Sequence, residues 1–134
     1  MSENVFEKLT HSMTQSIESA VSLALHNKNQ EVQVEHFLLA LLTNSDSELN
    51  QMFNKMNKDK VALELDVKSL TEKLPKSSQI SKENIRLSKN FMGTLENGAG
   101  LMTKNGDAYL AVDTYILANL KTEPFASLLR KYVD

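Results

Sequence analysis

The sequence predicts an all-helical fold, and three observations predict it. Glycine and proline are scarce, at four and two of 134 residues. Apolar residues recur at spacings of three and four, the period of one helix face. The stretch VEHFLLALL at 34–42 returns as VDTYILANL at 112–120, so whatever the first forms, the second forms again.

A chain of this length is one domain, able to bury about two-thirds of its unfolded surface. The net charge is −2 and the isoelectric point near 5.9. No Lys/Arg block exceeds a pair, so the electrostatic footprint of a nucleic-acid binder is missing. With no cysteine, a disulfide framework and thiolate chemistry are excluded. MSENVFEKLT carries no apolar signal region, and no run reaches the roughly 18 apolar residues of a membrane span. The expectation is a cytoplasmic protein with no membrane partner.

Phe6, Leu9, Met13, Ile17 (or Ser16), Ala20 and Ala24 place one stripe on a first helix over about 4–27. Asn27-Lys-Asn-Gln ends it, and EVQV alternates like a short extended connector. The second helix, from Val34, is apolar nearly all round from Phe37 to Leu42, which requires burial against several neighbours. Ser45-Asp-Ser offers caps for a third helix with Leu49, Met52, Phe53 and Met56 on one face. Asn57 caps a fourth, carrying Val61, Leu63, Leu65, Val67, Leu70 and Leu74. LPKSSQ, 74–79, is the linker, because Pro75 cannot continue a helix. Ser81 is then read as the cap of a fifth helix over about 82–104.

The offset of 78 residues holds without a gap from Leu9/Leu87 to Leu42/Leu120, and eight of the 34 pairs are identical. Chance gives about two. Others keep their chemistry, among them Thr10/Ser88, Met13/Phe91, Glu35/Asp113 and Phe37/Tyr115. The chain reads as a pseudo-two-fold duplicated helical repeat. Repeat one covers about 4–74, a linker 75–80, and repeat two about 81–134. The units are of four helices each, with the second lacking its last, which points to a chain cut from a longer protein. Leu38, Leu39, Leu42, Ile116, Leu117 and Leu120 are expected to be buried between the halves, and Phe125, Leu129 and Val133 to be left exposed.

Chemistry is thin. His11, His26 and His36 have no His or Cys at ligand spacing, so no metal site is read. Glu35 and Asp113 each stand in the first turn of a helix, where a carboxylate complements the dipole. Gly98 and Gly100 lie inside a helical period without the order of a phosphate loop, and allow close helix contact or mark a weak turn. The six methionines serve as core filler or as adaptable apolar surface.

Two tandem copies of a long helix, a connector and VEHFLLALL resemble the Clp N-terminal repeat domain of Clp-type unfoldases over nearly the whole chain. LP at 74–75 and GDAYLAVD at 106–113 are similar to ClpB-type disaggregases. The departures are Asp113-Thr114 in place of the commoner Glu-His, and Asn119 where Leu41 stands in the first copy. The resemblance implies a non-enzymatic, substrate-binding module of an ATP-dependent chaperone. Its partners would be unfolded or aggregated polypeptides and the ATPase domains of its own chain. The parent would be a homohexamer using ATP and magnesium and cooperating with an Hsp70-type chaperone, whereas this domain needs no cofactor. It further implies polypeptide binding at Thr10, Asp107 and Asp113, with Leu101 and Leu110 on an apolar wall. Thr10 as a helix cap and Asp107 as a turn former are the structural alternatives. The alternative function is adaptor docking, as in protease-linked Clp unfoldases.

Overall fold

A computed structural model of the chain describes residues 5–43 and 60–132. The predicted third helix, the Asn57 cap and Val133 lie outside them.

Among the described residues the chain forms six α-helices: α1 (His11–His26), α2 (Val34–Thr43), α3 (Lys60–Glu72), α4 (Lys89–Lys104), α5 (Val112–Ala118) and α6 (Phe125–Tyr132). A 3-10 turn, Val5–Lys8, precedes α1. Two short strands, β1 (Glu31–Val32) and β2 (Arg86–Leu87), pair in parallel. The extended connector EVQV is therefore half of a strand pair, which the sequence reading did not foresee.

The first helix is shorter than its apolar stripe. Leu9 is drawn into a parallel bridge with Leu110. Thr10 then takes extended backbone and caps α1, its hydroxyl accepting from the Met13 N–H at 3.2 Å. In the second half the cap is Ser88, not Ser81. The Ser88 hydroxyl accepts from the Phe91 N–H at 3.0 Å. Ser81 instead opens a turn held by Asn84, which accepts the Ser81 N–H at 2.8 Å and donates to the Gln79 carbonyl at 3.0 Å. Such local side-chain bonds compete with a helix start.

Helix α4 begins and ends 78 residues after α1, and smaller features keep the same step. Leu110 O accepts from Thr10 N at 3.0 Å, and Val32 O from Ser88 N at 2.8 Å. Both helices end beyond an Asn with a left-handed residue, Lys28 (φ 58°) and Gly106 (φ 77°). Lys28 N donates to the Leu25 carbonyl and Gly106 N to that of Thr103, each at 3.0 Å, satisfying carbonyls of the last turn.

Helices α1 and α2 pack together, as do α4 and α5. The core between them is aromatic. The Phe37 ring lies 5.0 Å from Tyr115, edge to face, and 5.2 Å from Phe91; Tyr115 lies 5.7 Å from Phe125. Leu38, Leu39, Leu42 and Ile116 are buried as expected, but Leu117 and Leu120 are 59% and 39% exposed. Helix α3 packs on α2, and no counterpart packs on α5 among the described residues. Phe125, expected at the surface, is buried against Tyr115.

His36 is fully buried. Its Nδ1 accepts the Gln33 N–H at 2.9 Å, half of a capping box with imidazole in place of the usual carboxylate. Nε2 bonds Asn29 Oδ1 at 2.8 Å, and Asn29 Nδ2 donates to the carbonyls of Leu74 and Pro75. One buried network thus ties the start of α2 to the linker. Burial lowers the imidazole pKa to about 4, so the ring is neutral and its Nδ1 free to accept.

Candidate functional site

The bridge between Leu9 and Leu110 assembles the candidate site. Lys8 O accepts from Leu110 N at 2.6 Å and Leu110 O from Thr10 N at 3.0 Å, which sets the strand before α1 beside the strand before α5. Thr10 caps α1, and Asp113 lies in the first turn of α5, so two helix N-termini share one side of the bridge. Asp113 is exposed, and its Oδ1 accepts from the Thr114 N–H at 2.8 Å. A carboxylate in the first turn of a helix complements the partial positive charge of that terminus.

Leu110 is fully buried. An added Cβ at Gly98 would meet its two Cδ atoms at 3.1 Å, so the absent side chain of Gly98 is what lets Leu110 pack against α4. Its side chain is part of the core and not of an open wall. Leu101 is half-buried on α4. Asp107 is exposed at the end of α4, its N–H donating to the Met102 carbonyl at 3.0 Å. Thr10 and Leu110 are thus joined by backbone pairing and Asp113 follows three residues after Leu110 in the first turn of α5, whereas Asp107 sits at the other end of the same connector.

Two aromatic residues escaped the sequence reading. Tyr109 is 59% exposed and Phe6 39%. Tyr109 lies in the bend that precedes the buried, bridged Leu110, beside the exposed Ala108. Phe6 had been assigned to the stripe of a helix that in fact starts only at His11.

Among the described residues no group of three His, Cys, Asp or Glu side chains could hold a metal, and no helix is long and apolar enough to cross a membrane.

A family model described as the Clp repeat (R) N-terminal domain matches residues 8–132. The chain is 53% identical over 131 residues to the chaperone protein ClpB of Wolinella succinogenes, covering 98% of this chain and 15% of that one. It therefore spans about one-seventh of the length of that curated relative. The fold is similar to the Hsp104 N-terminal domain from Candida albicans, with a TM-score of 0.80, 21% identity and coverage of 92% and 81% of the two chains. It is also similar to a ClpV N-domain solved in complex with a VipB peptide, with a TM-score of 0.74, 20% identity and coverage of 100% and 79%. With a family model matched from residue 8 to residue 132 and 98% of its own residues aligned to a ClpB relative at 53% identity, this chain belongs to the Clp repeat (R) N-terminal domain family.

Proposed function

We propose that this domain engages unfolded or aggregated polypeptide as the N-terminal module of a ClpB-type disaggregase. Polypeptide would lie along the connector between α4 and α5, anchored by Thr10, Asp113 and Asp107, with Tyr109, Phe6 and Leu101 supplying apolar contact. The observation that carries this reading is the Leu9–Leu110 bridge, which gathers two helix N-termini, a carboxylate and exposed aromatic surface. Unfolded chains present apolar side chains and free backbone groups, so a few polar anchors beside apolar surface bind many sequences weakly. Affinities from tens of micromolar upward are expected, about 4–6 kcal/mol.

In this reading the repeat division at 4–74, 75–80 and 81–134 underlies the architecture. The longer protein would be a cytoplasmic homohexamer that uses ATP and magnesium and cooperates with an Hsp70-type chaperone. The ClpV N-domain complex with a VipB peptide favours a second reading, in which the same surface docks one specific adaptor segment. Pull-down separates the two. A permanently unfolded protein should be retained and compete with other unfolded chains, whereas an adaptor dock would retain only its folded partner or one peptide sequence.

A further inference from the structure

We propose that the cleft where the end of α1 meets the linker is an anion site, suited to a phosphate monoester on a polypeptide. The cleft has a volume of about 360 Å³ and shares no residue with the Leu9–Leu110 bridge. Its wall carries His26 and Lys28 from the end of α1, and Lys76, Ser77 and Ser78 from the linker. Among the described residues no carboxylate lines it.

Backbone pairing fixes its frame. Ser77 N donates to the Lys28 carbonyl at 2.8 Å and Gln30 N to that of Pro75 at 3.1 Å, on either side of the antiparallel Asn29–Lys76 bridge. The buried Asn29 side chain, bonded to His36, holds the carbonyls of Leu74 and Pro75 as well. A lysine from each paired segment is thereby brought to one cleft.

Lys28 is the residue that the fold does least to explain. It stands at φ 58°, a left-handed conformation that favours glycine, and 78 residues later the matching turn has Gly106. Backbone strain kept at a single residue points to a use for its side chain. The side chains of His26, Lys28 and Lys76 have no hydrogen-bond or ion-pair partner among the described residues. A helix C-terminus attracts cations, which accounts for His26 and Lys28, whereas Lys76 belongs to the linker. The carbonyls of Leu23, Ala24 and Leu25, which would repel an anion, already accept from the N–H groups of Asn27, Asn29 and Lys28.

Ser77 Oγ accepts from the Gln79 N–H at 3.2 Å, which leaves its own hydrogen to donate. A phosphate monoester, with about two negative charges and three acceptor oxygens, balances both ammonium groups and takes the hydroxyl and imidazole donors beside them. A carboxylate balances only one. Both lysines are exposed, so binding is weak and falls with salt.

The test is a backbone NMR titration of isotopically labelled protein with a Gly-Ser peptide carrying one phosphoserine, beside the same peptide with serine or glutamate at that position. The phosphopeptide should shift Lys28, Lys76, Ser77 and Ser78, the glutamate peptide should bind about fivefold more weakly, and the serine peptide should shift none of them. Lys28→Gly places at φ 58° the residue that tolerates it, so it should keep or raise the melting temperature while weakening phosphopeptide binding about fivefold. Lys76→Gln should weaken it similarly. Equal binding of the serine or glutamate peptide, unchanged affinity in Lys28→Gly, or equal shifts at Lys82, Arg86 and Lys89 would overturn the inference.

Discussion

The phenol of Tyr115 donates to Oγ1 of Thr94 at 2.8 Å, and that hydroxyl donates to the Phe91 carbonyl at 2.6 Å. Seventy-eight residues earlier stand Phe37 and Ser16, and there the Ser16 hydroxyl is buried without a partner. The first half of the molecule lacks the donor that the second half supplies. Burial without a partner costs about 1–3 kcal/mol, whereas a made hydrogen bond contributes about 1. Ser16→Ala is therefore expected to leave stability unchanged or raise it by up to about 1 kcal/mol. Thr94→Val, which strands the buried phenol, should cost about 1–3 kcal/mol. Urea unfolding of the two variants checks the contrast.

The glycines of α4 divide in the same way. A Cβ at Gly98 would press on Leu110 at 3.1 Å, whereas at Gly93 and Gly100 it would meet nothing within 4 Å. Gly93→Ala and Gly100→Ala should each stabilise by about 0.5–1 kcal/mol through helix propensity. Gly98→Ala should destabilise by about 1–3 kcal/mol, because the added Cβ crowds the fully buried Leu110 side chain. Thermal melts of the three variants decide it.

His36 gives the fold a pH dependence whose sign is fixed. Its pKa is lowered by burial from 6.5 to about 4, so below 6.5 the unfolded chain takes up a proton that the folded one refuses. Stability is complete above about pH 6.5 and is lost as pH falls toward 4, by about 2 kcal/mol between pH 7 and pH 5. His36→Gln should lower stability at pH 7 yet flatten this slope. Equal slopes in the two proteins would remove His36 as the cause.

Leu39 and Leu117 occupy matching places in the two halves and differ in burial, at 7% and 59% exposed. Leu39→Ala should cost about 2–5 kcal/mol and Leu117→Ala less than about 0.5. Chemical denaturation of the two single variants measures this directly.

These residues also show what the sequence could and could not tell. The stripe Met13, Ile17, Ala20, Ala24 identified α1, and the solid apolar run of α2 announced its burial, because side-chain period and hydrophobicity are local properties. The start of α4 was misread at Ser81 although Thr10/Ser88 stood in the alignment of the halves. Capping potential is local, but which of two serines caps depends on β2 pairing with β1. The burial of Leu117 was misjudged because identity with Leu39 says nothing of whether a helix covers it. Of the candidate site, Thr10 and Asp113 were legible through the family resemblance. The inward turn of Leu110 and the outward turn of Tyr109 depend on a bridge to Leu9, a contact across a hundred residues.

The central claim is that unfolded polypeptide binds beside the Leu9–Leu110 bridge, and a backbone NMR titration with a permanently unfolded protein tests it most directly. The account predicts shifts at Thr10, Tyr109 and Asp113, retained at moderate salt because apolar contact dominates. Thr10→Ala and Asp113→Ala should weaken them without unfolding the domain. Shifts confined to the outer face of α1, or none at millimolar concentration, would contradict it.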